Sequence, residues 1–296
     1  MNKDISEILD EWEYDPESNV RRIRGKDGVP RIQVRVDQGA FQGILQLNLD
    51  GRPDGKRPHD HDFALEHYRE MLEAHRQEAG DETGFQLDHS SCEELFEESS
   101  QVYGRYVFLL QVKDFERVIR DTERNMACFE FLHSYAALEG DRTNLQKWWP
   151  YILRIHGTAK SHLLADDGRF DRAMAVIRDT RQRIRDLEEV DAEEFHSERE
   201  RSVEALDELL LELKGRKPLS EREGLEQELA EAIADEAFER AAQLRDQLRD
   251  LPDAVTSEAD ESDIEGPDSD LPSGDPPDFS PPDHFSPPNL GPPGKD

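Results

Sequence analysis

Cysteine is almost missing from this chain. Its 296 residues contain two, Cys92 and Cys128, too few and too far apart in sequence for a disulfide framework or a cysteine-based zinc site. That usage fits a reducing compartment, and the expectation is a cytoplasmic protein. Long apolar runs are missing too. No segment reaches the length needed to cross a bilayer, and the opening MNKDISEILDEW holds no apolar stretch fit for a secretory signal. Positive charge is scarce: 37 Lys and Arg stand against 69 Asp and Glu, for a net charge of −32. Nucleic acid and anionic membranes repel such a chain unless its cations are segregated. The expected partner is therefore another protein, with no membrane involved and no binding to duplex DNA at physiological salt. Phosphate-binding loops are absent as well. GRKPLS and RGKDG both lack the G-x-x-x-x-G-K-[ST] pattern whose backbone N–H groups cradle phosphates.

Proline is present but unevenly spread. From Pro252 onward, 45 residues hold 11 of the 17 prolines, 12 Asp and Glu, and one Lys. Proline removes donors and the acids repel one another, so residues 252–296 are expected to form no packed core. The run PPDFSPPDHFSPPNLGPPG carries Phe279 and Phe285 and reads either as a docking motif or as a solubilising tail.

Before the tail, two patterns divide the chain. Val29 to Asp37 alternates apolar and polar residues, the period of a half-buried strand. Gly39 and Gly43 supply a turn, and Ile44 to Asp50 reads as a second strand. This predicts a β-hairpin with Ile32, Val34 and Val36 on one face, resting on helices because a lone hairpin is marginal in water. From Phe63 to Lys214 the period is helical. Phe63–Ala79, Ser91–Val112, Asp114–Ala137 and Leu145–Leu164 are the first candidates, with a kink or restart at Pro150. Phe170–Leu213 reads as one long amphipathic helix, ended by Gly215 to Pro218. Val118-Ile119-Arg120-Asp121-Thr122 recurs at 176–180, and Phe170-Asp171-Arg172-Ala173-Met174 echoes Phe238-Glu239-Arg240-Ala241-Ala242. The stretch LADDGRFDRAMAVIRDT is similar to the corner of a tetratricopeptide repeat (TPR), so the array is read as TPR-like or as a generic set of helical hairpins.

Residues 225–251 are the most specific segment. Leu225, Leu229, Ala232 and Ile233 follow one helix face, Asp235-Glu236-Ala237 interrupts, and Phe238, Ala241, Ala242, Leu244, Leu248 and Leu251 make a second face. Two helices joined by a short loop follow. Ser220-Glu221-Arg222-Glu223 precedes them as a capping-box-like start. Ala241-Ala242 admits a close helix, Phe238 sits where it can plug the turn, and Arg245 lies at the edge. This stretch resembles the UVR domain, the short hairpin shared by the UvrB and UvrC repair proteins and by some Clp-protease regulators. The run F-E-R-A-A-Q-L-R-D matches that family's second helix. The resemblance implies a non-catalytic hairpin that docks against another hairpin. It covers about residues 220–251. The helicase loops of UvrB, the nuclease signature of UvrC and the Cys-x-x-Cys zinc sites of the regulators have no counterpart elsewhere in the chain.

Other chemistry is thinner. His59-Asp60-His61-Asp62, with Glu66 and His67 behind, is the best metal candidate, since imidazole and carboxylate suit zinc or manganese. No second ligand cluster accompanies it, and Asp60 or Asp62 capping the next helix accounts better for the pattern. No metal or other cofactor is expected. His89-Ser90-Ser91-Cys92 suggests a Cys/His nucleophile, but Ser90 or Ser91 as a helix cap explains it better. Residues 21–57 are the basic region: Arg21, Arg22, Arg24, Lys26, Arg31, Arg35, Arg52, Lys56 and Arg57 against four acids. This is a nucleic-acid patch or, the preferred reading, a surface complementary to the chain's own acidic helices. Trp148-Trp149-Pro150-Tyr151 is read as core between helix pairs, with a partner anchor as the alternative.

The fold expected is mainly α. A small N-terminal β-hairpin plus helix fills 1–80. A helical array with a long connecting helix fills 81–215, the UVR hairpin 219–251, and the acidic Pro-rich tail 252–296. The function expected is a non-enzymatic adaptor for protein–protein interaction, linked to nucleotide-excision repair or Clp-type proteolysis. Leu225, Leu229, Phe238, Ala241, Ala242, Arg245 and Leu248 would meet a helical partner or a second copy. The alternative is a DNA-associated repair accessory binding through Arg21, Arg22, Arg24 and Lys26.

Overall fold

A computed structural model describes residues 4–16, 18–38 and 41–251. The expected tail, with Phe279 and Phe285, lies outside them. The chain is mainly helical with a small N-terminal antiparallel sheet, and it divides into two compact units with the boundary between Leu211 and Glu212. Among the described residues no helix is long and apolar enough to cross a membrane.

The first unit opens with a short helix, α1 (Ser6–Asp10), and a sheet of three strands: β1 (Val20–Arg24), β2 (Pro30–Gln38) and β3 (Phe41–Asn48). Their order is β1-β2-β3, with Val20 opposite Val34 and Ile32 opposite Leu47. The expected hairpin is therefore β2–β3, and β1 is an addition to it. Charged residues hide this strand in the sequence: on its outer face Arg21 lies over Trp12 at 4.0 Å and donates to Gln33 at 2.9 Å. Ile32 and Val34 are buried on the inner face, as the alternation predicts.

That face packs on helices. After α2 (Ala64–Ala79) come α3 (His89–Gln111) and α4 (Phe115–Tyr135), then α5 (Glu139–Thr143), α6 (Trp149–Asp166), α7 (Phe170–Asp186) and α8 (Glu193–Arg216). Ile32, Val34, Leu49, Phe63, Val102, Tyr106, Leu109, Phe115, Val118, Ile155 and Ala159 form one cluster, so sheet and helices share a core. Inside it Arg105, fully buried, forms a bidentate pair with Asp121 (2.6 and 2.8 Å) and donates to the carbonyls of Asn48 and Gly51 (3.0 and 2.6 Å). Pro150 falls in the first turn of α6, where its missing N–H costs nothing, so the helix starts there and is not kinked. Trp149 is buried and Tyr151 partly so, in line with the core reading of that cluster. At Gly157 the side chain of Thr180 comes within 2.4 Å of where a Cβ would sit, so α6 and α7 approach closely.

Three local expectations need correction. The long run 170–213 is two helices, α7 and α8, with residues 187–192 between them, where Val190 is buried. The cap of α2 is neither Asp60 nor Asp62. Glu98 on α3 accepts from the N–H groups of Ala64 (2.7 Å) and Leu65 (3.3 Å), a cap supplied from across the fold. At the start of α3 it is Asp88 that accepts from the Ser91 N–H at 2.8 Å, so the acid before the serines is the cap.

The second unit contains α9 (Glu221–Ala234) and α10 (Phe238–Asp250), an antiparallel hairpin.

Candidate interaction surface

The hairpin begins with a capping box. Ser220 Oγ accepts from the Glu223 N–H at 3.2 Å, and the Glu223 carboxylate accepts from the Ser220 N–H at 2.8 Å. That satisfies two donors that a helix start leaves bare. The turn between the helices uses Glu236 in the left-handed region, φ 57°. Its core is small: Ala232, Ala241 and Leu244 are buried, with Leu225 and Leu229 half-buried against them. Alanine on both helices brings the backbones together and leaves no chamber at the turn. Phe238 is therefore not the plug expected there; its side chain is 69 % exposed, and Ile233 is 56 % exposed. Ala242 and Arg245 are exposed and Leu248 is half-buried. Arg240 is held to Glu228 at 3.1 Å along one edge of the pair. Phe238, Ala242 and Arg245 recur at i, i+4 and i+7, which sets them on the opposite edge of α10.

The same corner occurs twice in the first unit. Lys113, Gly168 and Glu236 all take left-handed φ values (56°, 76° and 57°). The following residues, Asp114, Arg169 and Ala237, share φ/ψ near one point: −86°/67°, −86°/53° and −83°/67°. Their N–H groups donate five residues back, to Leu109, Leu164 and Ala232 (2.9, 2.9 and 2.8 Å). Phe-acid-Arg follows in each: Phe115-Glu116-Arg117, Phe170-Asp171-Arg172 and Phe238-Glu239-Arg240. The sequence reading paired the last two and missed the first. The φ > 0 residue is a lysine there, with no glycine to signal it.

The other candidate residues are placed as follows. His59 and His67 stack at 3.9 Å, and His61 and His67 lie 5.9 Å apart between ring centres. His59 Nε2 meets Glu94 at 3.0 Å and His61 Nε2 meets Glu70 at 3.3 Å. Each imidazole thus has its own carboxylate. Burial, then the neighbouring His59 and His61, holds the His67 pKa below its ordinary value. Among the described residues no group of three or more His, Cys, Asp or Glu side chains is arranged to hold a metal ion. Cys92 is buried, which pushes its thiol up to about 12, and His89 pairs with Asp141 at 3.0 Å. That is the reverse of an activated nucleophile.

In the basic region, Arg22 pairs with Asp114 (3.1 Å) and Arg31 with Asp27 (2.5 Å), while Arg52 pairs with Asp54 (3.1 Å) and Glu98 (3.3 Å). Arg57 pairs with Asp62, Lys56 meets Asp54 at 3.7 Å and Arg24 donates to the Gly28 carbonyl at 2.8 Å. Arg35 is buried and donates to the carbonyls of Trp12 and Val36, and Lys26 is exposed.

The family model described as the UvrB/uvrC motif matches residues 220–251, so the chain carries a UVR hairpin there. That motif is found in repair proteins and in Clp-associated proteins. No curated protein and no solved structure matches the chain.

Proposed function

We propose that the protein is a non-catalytic adaptor whose UVR hairpin docks a helical partner. The observation that carries this reading is the exposure of Phe238 and Ile233 on a hairpin whose own core is already closed by Ala232, Ala241 and Leu244. A large ring beside a closed core adds nothing to the hairpin's stability, and aromatic residues dominate interface hot spots. The UVR motif supports a partner among repair or Clp-type proteolysis proteins. The test is affinity capture from cell lysate with the intact chain, with residues 219–251 removed, and with Phe238→Ala. One protein retained by the first and lost by the other two is expected. Capture that ignores both changes would remove the hairpin from the function.

A further inference from the structure

The array contains a worked example of how this corner is covered. At the first corner Phe115 is 8 % exposed. The helix that buries it is α6: the His162 ring stacks on Phe115 at 5.0 Å and 12°, and Ile155 and Ala159 join the same core cluster. The covering seam is thus a large apolar residue, a small one and a flat polar ring at i, i+4 and i+7. The stripe on α10 has the same order, with Phe238, then Ala242, then the planar guanidinium of Arg245, all three exposed. Among the described residues Arg245 has no hydrogen bond or ion pair.

Resting on the adaptor reading and specifying its partner, we propose that a second copy of the hairpin covers the Phe238 surface, the two α10 helices packing antiparallel about Ala242. The contact is two-fold, so each helix is both corner and cover. Arg245 of the other copy lies over Phe238, as His162 lies over Phe115, and a guanidinium over a ring gains a cation–π attraction. Ala242 at the crossing lets the backbones approach. The same register brings Glu239 opposite Arg245 and Asp235 opposite Arg249, so the acidic turn of each hairpin meets the basic half of the other. Residues 220–251 hold ten acids and four arginines, so the hairpins repel at a distance and the local pairs fix the register. A seam one short helix long is a small interface, and the pairing is weak and concentration-dependent.

Sedimentation equilibrium of the full chain across the micromolar range tests this. A monomer–dimer equilibrium is expected. Phe238→Ala should weaken it at least about tenfold, with the helical circular-dichroism signal unchanged because the ring is exposed. Glu239→Arg alone and Arg245→Glu alone should each weaken it, and the two together should restore it. A chain that stays monomeric overturns the proposal, as does a dimer indifferent to Phe238→Ala and to the charge exchange. The adaptor reading stands or falls separately. Hairpin-dependent capture by a monomeric chain would keep it without self-pairing, and loss of both would remove it.

Discussion

The α3–α4 corner and the α9–α10 corner have one backbone and two fates. Each turns through a left-handed residue, closes with a five-residue-back hydrogen bond and starts the next helix on Phe-Glu-Arg. Phe115 is 8 % exposed and Phe238 is 69 % exposed. Nothing local distinguishes them. The difference is that α6 follows α4 and packs on its corner, whereas Pro252 and an acidic, proline-rich run follow α10. A motif's burial, and so its role, depends on whether the chain supplies the next layer.

The strongest way to break this comparison is to truncate the buried ring. Phe115→Ala should cost about 3–5 kcal/mol in urea unfolding followed by helical signal, because the ring leaves a cavity among the sheet, α3 and α6. A loss under about 1 kcal/mol would mean the corner does not need its cover. The next effect separates the two units by pH. His156 is 7 % exposed, and burial foremost drives its pKa down to about 3 from 6.5. The unfolded chain therefore takes up a proton that the native state refuses. Stability is full above pH 6.5 and falls as the pH drops through 6.5 toward 3, by about 2 kcal/mol at pH 5. His156→Gln should flatten that slope in the first unit. The hairpin at 219–251 has no histidine and should show no change from that cause, which thermal melts at pH 7 and pH 5 would check. Smaller again is Ser220→Ala, which removes the capping box and should cost the hairpin about 1 kcal/mol, read from amide exchange in α9. Smallest is Phe238→Ala, expected to stay within about 0.5 kcal/mol. A cost near that of Phe115→Ala would show the two corners to be equally packed, and the contrast would vanish.

Features legible in the sequence were those set by period and local chemistry. The β2–β3 alternation, the helical stretches and the capping box at Ser220 all depend on near neighbours. What was not legible depended on distance. The Glu98 carboxylate caps α2 from 34 residues away. β1 reads as charged because one of its arginines stacks on Trp12 and another reaches Asp114 on the far side of the fold. The break between α7 and α8 contains neither Gly nor Pro, and the signal available was Asp191-Ala192-Glu193-Glu194, an acid three residues before a glutamate at a helix start. At the candidate surface the residues were legible and their exposure was not, because whether Phe238 plugs or projects is decided by the two alanines that close the hairpin beneath it.

Arg105 also governs how the first unit comes apart. Its guanidinium holds Asp121 on α4 and the two carbonyls beside β3 at once, with no exposure to water. Peeling the sheet away would leave a buried ion pair with two of its hydrogen bonds missing, a state costlier than opening everything. The strand amides of β2 should therefore exchange with solvent only when α3 and α4 unfold with them. A sheet this small would, on its own, be among the first elements to fray. Here it belongs to the slowest-exchanging cooperative unit of the chain.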